Sequence, residues 1–408
     1  MKILFLTTDL SYPPQDGRML RTYNVLSGLA RRHRVHLVCF DQRHGADPQS
    51  RRKVAEAHLR SVCTSVHICE IPAKRSRAAL AWTAAASLFG RQTFSSRTYW
   101  SPAVLRQLGS LAAAYDVDVI HVENTLLGGH VAHLGRAARV LVHHNVESDL
   151  FLQRAASERN PARRAFLSLE ASKMRGFERR MGSSFGVHIA CSVADAERLS
   201  AIMGGARACV VPNGVDLEYF SPREARRSGN LGVVHVGGLN WPPNLQGASW
   251  LVEEVWPLVR RTLPNATLAL VGRLGEAPVS RWQSRDGITL VGEVEDVRPY
   301  FAEASVSVVP LHVGGGTRLK ILNAWAMGTP VVSTTKGCEG LPARGRDNLI
   351  IADTPAAFAE GVVELLRGPE LRAALSASAR HLVETGYGWG SIVEQVENAY
   401  RLALEGGG

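Results

Sequence analysis

The sequence is poor in long apolar runs, in lysine and in regularly spaced cysteine. Its longest apolar stretch, residues 78–89, is too short to span a bilayer. The six cysteines, Cys39, Cys63, Cys69, Cys191, Cys209 and Cys338, fall at irregular intervals. That excludes a cysteine-paired metal site and a disulfide framework, and it fits a reducing compartment. There is no short-period repeat and no nucleic-acid recognition motif, and the basic residues are scattered, which argues against a nucleic-acid partner. With 21% charged and 45% hydrophobic residues, the 408-residue chain is not disordered and is long enough for two cored domains. The net charge of +10 is carried almost wholly by arginine. Such a balance suits phosphorylated ligands or an anionic membrane surface. Met1-Lys2 runs straight into a strand pattern, so the expectation is a cytoplasmic protein with no signal peptide, with the inner face of the membrane left open as its address.

What is present is alternation. Apolar strand patterns at 2–9, 33–40, 66–72, 117–124, 139–145, 185–192 and 208–214 are separated mostly by helical stretches. Residues 215–230, with prolines, charges and a Ser-Gly-Asn cluster, read as a linker. A second alternation follows, with strands at 231–239, 266–273, 287–292, 305–311, 330–334 and 348–353. One continuous amphipathic helix is expected at 243–262, and tail helices near 355–366, 369–385 and 391–405. Both halves are therefore α/β, with doubly wound parallel sheets. Ligands of such sheets bind beyond the carboxyl ends of the strands.

The loops at those ends hold the candidates. Residues 314–320, GGGTRLK, lead into a helix; free N–H groups at a helix start, glycines that admit a ligand, and the charges of Arg318 and Lys320 suit a diphosphate. Gly17, with Arg18 and Arg21 just inside the first helix, is a second glycine of this kind. His143, His144, Asn145 and Glu147 crowd one strand end, and His121 and Glu123 its neighbour. A histidine there serves a proton or a hydroxyl; two histidines and a glutamate could also bind a metal, but a ligand set at defined spacing is missing. Asp116-Val117-Asp118 has the spacing of a metal–diphosphate motif but precedes its strand, so it reads as a turn. Gly272, Gly292 and Val294 offer backbone to a nucleotide base, or are simply turns. The apolar and basic segment 76–101 has two readings: ordinary core packing, or a rim whose Trp82, Leu88 and Phe89 meet a lipid surface or a large acceptor. The arginine-rich stretch 159–181 reads as a solvated helix face.

Four segments together, the opening KILFLTTDLSYPPQDGRMLRTYNVL, VVPNGVD (210–216), residues 290–311 and GGGTRLKILNAWAMGTPVVSTTKGCEGL, resemble the GT-B glycosyltransferases of family 4, the group 1 type. The resemblance covers nearly the whole chain. It implies two Rossmann-like domains facing across a cleft: 1–214 for the acceptor, 231–388 for the donor, and 389–408 as a helix crossing back onto the first. The implied activity is sugar transfer from a nucleotide diphosphate sugar, usually with retention and without a metal or other cofactor. Acceptors of carbohydrate, lipid-linked or small-molecule type all remain open. By the same resemblance His144, Arg318 and Lys320 are the catalytic group. Gly17, Gly272, Val294, Gly314, Gly315, Gly316, Thr317 and Asn323 line the donor, and Arg21, Glu123 and Asn145 lie on the acceptor side.

Two departures stand out. Gly315 and Asn323 occupy the positions of the family's paired glutamates, and residues 237–244, GGLNWPPN, lack the usual arginine and lysine. Asn323 keeps hydrogen-bonding capacity without charge. A nucleotide-sugar binder without turnover, or an epimerase acting on the nucleotide sugar, are the rival readings.

Overall fold

The computed structural model describes residues 1–14, 16–42, 48–90, 92–132, 134–222, 231–275, 282–313 and 318–406. These form two compact units, Met1–Pro212 together with Ile392–Gly408, and Asn213–Ser391.

The first unit is built on a seven-stranded parallel sheet. Its strands are β1 (Lys2–Thr7), β2 (Arg34–Asp41), β3 (Ser65–Glu70), β4 (Val119–Val122), β5 (Ala138–His143), β6 (Val187–Ala190) and β7 (Ala208–Val210), in the order β3-β2-β1-β4-β5-β6-β7. The helices are α1 (Gly17–Ala30), α2 (Pro48–Val62), α3 (Arg77–Phe89), α4 (Phe94–Tyr99), α5 (Pro102–Tyr115), α6 (Glu147–Ser157), α7 (Pro161–Met181) and α8 (Val193–Ile202). Ile3, Leu4, Phe5 and Leu6 are all buried, as a strand covered on both faces requires. The order reverses at β1, which pairs with β2 on one side and β4 on the other. Asp116 ends α5 in the left-handed region (φ 49°), and Asp118 takes the Lys2 amide at 2.8 Å, so the Asp-x-Asp is a turn at the amino edge of the sheet.

The second unit has a six-stranded parallel sheet ordered β10-β9-β8-β11-β12-β13. Its strands are β8 (Gly232–Val236), β9 (Thr267–Val271), β10 (Ile288–Gly292), β11 (Val306–Val309), β12 (Val331–Ser333) and β13 (Ile350–Ile351). The order again reverses at the first strand, β8. Its helices are α9 (Pro242–Trp250), α10 (Trp256–Thr262), α11 (Arg298–Glu303), α12 (Leu319–Ala326), α13 (Pro355–Arg367) and α14 (Pro369–Gly386). Alternate strand residues serve two cores: Val306 and Val308 join Val252, Val255 and Phe358, whereas Val309 joins Leu322, Trp325 and Phe301.

The last helix, α15 (Trp389–Glu405), begins in the second unit and from Ile392 belongs to the first. It lies on α1 where Gly28 leaves room: a Cβ there would come within 2.4 Å of Val393. Glu397 holds Arg32 at 3.1 Å and His33 at 2.9 Å.

Three regions depart from the sequence reading. The helix expected over 243–262 is present and runs without a break from Pro242 to Thr262, but Leu251–Val255 form a π turn inside it, between α9 and α10. Pro257 explains it: the ring has no N–H and collides with the preceding turn, and the wider π turn accommodates this. Of the expected linker, Val215 is buried and donates its amide to the Tyr387 carbonyl at 2.7 Å, while 223–230 lie outside the described residues. The segment 76–101 does not pack as ordinary core, since Trp82, Leu88 and Phe89 are exposed.

Candidate active site

Both units place their polar side chains where strand order reverses. In the first, these are the ends of β1 and β4 and the neighbouring end of β5. The fully buried His121 stacks on Phe5 at 4.3 Å between ring centroids. Its Nε2 meets Glu123 Oε2 at 2.5 Å, and its Nδ1 meets the Tyr400 hydroxyl of α15 at 2.7 Å. A neutral imidazole satisfies both: the phenol donates to Nδ1 and Nε2–H donates to the carboxylate. Glu123 also faces Arg21 at 3.8 Å and His144 at 3.5 Å. Burial opposes its charge, but the His121 hydrogen bond and the polar and charged neighbours His121, His144 and Arg21 outweigh this, and its carboxyl titrates below the usual range.

The adjacent histidines at the end of β5 have different tasks. His143 is fully buried in a chain of neutral partners: Thr125 Oγ1 at 2.9 Å, then His188 at 3.0 Å, which reaches the Gly182 carbonyl at 3.4 Å. Burial, with the neighbouring His188 second, keeps it well below its ordinary pKa. His144 emerges at the strand end, with Nε2 donating to the Glu123 carbonyl at 2.8 Å. Burial takes it down to about 4; the Glu123 charge opposes this and Arg21 and Arg18 add to it. At neutral pH it is an uncharged ring whose Nδ1 is an acceptor. Asn145 follows it, half-buried. Glu147 begins α6 and is held up to about 7 by burial and then by the charge of Glu178, whose carboxylate accepts from the Ser148 amide at 3.2 Å.

Gly17 starts α1, whose N-cap Asp16 accepts from the Met19 amide at 2.8 Å. Arg18 turns back to Thr8 Oγ1 at 2.7 Å and to Asp9. Arg21, 1% exposed, donates to the carbonyls of Val211 at 3.0 Å and Pro212 at 2.7 Å, so it clamps the end of the unit's chain as well as facing Glu123.

In the second unit the residues gather at the end of β8. Lys320, on α12, donates to Asn244 Oδ1 at 2.9 Å, and Asn244 donates to the Gly238 carbonyl at 3.0 Å. A Cβ on Gly237 would lie 2.6 Å from the Lys320 ammonium, so the absent side chain is what admits it. Burial, followed by the charge of Arg318, brings Lys320 down to about 7. The buried His235 beneath is pulled to about 3 by burial and then by Lys320, and hydrogen-bonds the Val308 carbonyl at 3.1 Å. Arg318 is the N-cap of α12, makes no side-chain cap bond there, and reaches the Lys336 carbonyl at 3.4 Å. Along α12 the core takes Ile321, Leu322, Ala324, Trp325 and Ala326, leaving Lys320 and Asn323 on the accessible stripe. Gly314, Gly315, Gly316 and Thr317 lie outside the described residues.

Gly272 has φ +138°, and a Cβ on it would strike the Gly237 carbonyl at 2.6 Å; it locks the β8 and β9 ends together. Val294 is half-buried against the core that holds Trp325. Among the described residues no group of three or more His, Cys, Asp or Glu is placed to hold a metal ion.

Sequence reasoning thus named most of both clusters and missed Tyr400, Asn244 and His235. Tyr400 sits at a core position of an amphipathic helix, where an aromatic carries no signal of a polar task. Asn244 carried a signal in hindsight: the basic residues missing from 237–244 had to be replaced from elsewhere.

Residues 20–219 match the family Glycosyltransferase Family 4, and residues 230–368 match Glycosyl transferases group 1. The chain is 28% identical to D-inositol 3-phosphate glycosyltransferase 1 of Catenulispora acidiphila over 73% of its length and 75% of that protein's. It is 29% identical to the D-inositol 3-phosphate glycosyltransferase of Frankia alni, of which it spans only 54%. The fold is that of sucrose-phosphate synthase from Thermosynechococcus elongatus, with a TM-score of 0.70, 18% identity and 98% of each chain covered. Anabaena HepE in complex with UDP gives a TM-score of 0.67 at 15% identity, over 98% of this chain and 99% of that one. With two parallel Rossmann-like sheets and both halves matched by the family, the chain is a GT-B glycosyltransferase of family 4, group 1.

Proposed function

We propose that this glycosyltransferase moves a hexosyl group from a nucleoside diphosphate sugar to an acceptor hydroxyl, with retention and without a metal ion, in the synthesis of a polysaccharide, a glycolipid or a secondary metabolite. The observation that carries the reading is the ammonium of Lys320 held over Gly237 by a neutral amide at the β8 end. A half-buried cation with no carboxylate as its described partner suits an anionic guest. The complex of HepE with UDP and the names of the D-inositol 3-phosphate glycosyltransferases support a uridine-type donor and a small polar acceptor.

In this reading the second unit holds the donor. Lys320 and Arg318, with the amides of Gly314, Gly315, Gly316 and Thr317, stabilise the diphosphate as the bond to the anomeric carbon breaks. Asn323 takes the ribose hydroxyls, and Gly272 and Val294 frame the base. The first unit holds the acceptor. His144 orients its hydroxyl, and Glu123, Asn145 and Arg21 flank it, while Gly17 admits the donor phosphate. The acceptor oxygen bonds to the anomeric carbon and its proton passes to the leaving phosphate oxygen. The test is incubation with UDP-, GDP-, ADP- and TDP-sugars and a panel of acceptors, with and without EDTA, following nucleotide release and product anomer by NMR. Transfer with retained configuration that EDTA leaves intact is expected; an inverted product or an absolute need for metal overturns the mechanism.

Gly315 and Asn323, in place of two glutamates, favour a second reading: a nucleotide-sugar binder without turnover. It predicts a nucleotide-induced rise in melting temperature with no transfer to any acceptor.

A further inference from the structure

Helix α3 is amphipathic the wrong way round for a soluble protein. It buries Thr83 and Ser87, whose hydroxyls donate back to the Ala79 and Ala84 carbonyls at 2.8 and 2.7 Å. It exposes Leu80, Trp82 (71%), Leu88 and Phe89 (94%). Trp82 and Phe89 are seven residues apart, so they share one stripe, with the small Ala85 and Ala86 between them. The helix is firmly seated. Ser76 caps its start, accepting from the Ala79 amide at 3.0 Å. At its end Lys173 of α7 donates to the carbonyls of Ser87 and Leu88, the latter at 3.2 Å. On α7 the exposed Phe166 and Leu169 lie seven and four residues before Lys173, on the same stripe, which extends the apolar surface beside the end of α3.

The charge around this surface is mainly positive, an exception being the half-buried Glu158 before α7, whose carbonyl accepts from Arg164 at 2.8 Å. No aspartate or glutamate occurs between Glu70 and Asp116, whereas Lys74, Arg75, Arg77 and Arg97 do. Glu70 itself pairs with Arg75 at 3.5 Å. The two acids of α7, Glu170 and Glu178, are both buried, so the exposed charge of that helix, Arg163 and Arg164 included, is entirely positive. Exposed tryptophan, phenylalanine and leucine in a basic field match the surface of an anionic bilayer: the aromatics enter the acyl boundary and the guanidinium groups meet lipid phosphates.

We propose that the outer faces of α3 and of the first turns of α7 dock the first unit on an anionic membrane surface, without any segment crossing it. No helix among the described residues is long and apolar enough to cross. The experiment is co-sedimentation of the full chain with vesicles of phosphatidylcholine alone and of phosphatidylcholine with phosphatidylglycerol. It compares wild type, Trp82→Ser/Phe89→Ser and Arg163→Gln/Arg164→Gln, with melting temperature and solution mass as controls. Wild type should partition onto the anionic vesicles, less so as salt rises. The aromatic pair should lower the partition coefficient by about tenfold, and the arginine pair should lower it on anionic vesicles only. Wild type that stays in the supernatant with both vesicles overturns the proposal, as does an aromatic variant that binds as well as wild type. A wild-type dimer that the aromatic substitutions convert to monomer also overturns it, by making a second copy the occupant.

Discussion

At the carboxyl end of β1 and β4, a buried carboxylate meets its counter-charge: Glu123 faces the Arg21 guanidinium and the imidazoles of His121 and His144, and His121 is fixed in turn by Tyr400. At the corresponding end of β8, the ammonium of Lys320 rests on the neutral amide of Asn244. Both sheets are parallel and reverse order at their first strand, so topology does not distinguish them. The difference lies in whether the buried charge is compensated by the protein itself. The first cluster sets the Glu123 carboxylate against the Arg21 guanidinium and presents a neutral imidazole, which suits a hydroxyl. The second keeps positive charge in hand, which suits an anion.

The sharpest way to break this comparison is to remove the compensation. Glu123→Gln should destabilise the chain by about 3 kcal/mol in urea unfolding at neutral pH, because it removes the carboxylate that faces the buried Arg21 guanidinium. The sign with pH follows from its lowered titration: the contribution is complete at neutral pH and is lost as pH falls through the folded value. The gap between wild type and variant should therefore close in acid; a constant gap would refute the charge argument. Next, Lys320→Met should weaken nucleoside diphosphate binding by roughly thirtyfold, about 2 kcal/mol, in calorimetry, with little change in melting temperature.

Tyr400→Phe orphans His121 Nδ1 and should cost about 1–2 kcal/mol; adding His121→Phe should recover part of that, since replacing both partners leaves nothing unsatisfied. A smaller effect sharpens the cationic side. Lys320 titrates at about 7 when free, and a bound diphosphate raises that value, so binding takes up a proton above neutrality. Affinity should fall as pH rises above 7, by up to roughly tenfold per unit, and the slope should vanish in Lys320→Met. The least effect is expected from Arg273→Ala. Its bidentate pair with Glu293 (3.0 and 3.0 Å) is in open solvent, and melting should not move measurably.

Strand and helix alternation was legible because the central strands β1, β4, β6 and β11 are buried on both faces and the junctions carry their own turn residues. The split between His143 and His144 was not: consecutive letters point to opposite faces of a strand, but which face is core depends on Thr125 and His188, distant in sequence. Lys320 was legible as a cation; that it fills the gap left by the arginine- and lysine-free 237–244 needed the approach of α12 to Gly237. The inward turn of Thr83 and Ser87 was illegible for a different reason. Hydrophobic periodicity tells which face of a helix is apolar, and only packing tells which face is covered.

The partner of His121 is supplied by a residue 279 positions further along the chain. During synthesis the ribosome therefore makes all seven strands of the first sheet, and then the whole second unit, before the phenol that fills the slot beside β4 exists. Until α15 is made, Gly28 lacks Val393 and Arg32 and His33 lack the Glu397 carboxylate. The first sheet's switch point is therefore completed by a helix made after the second unit.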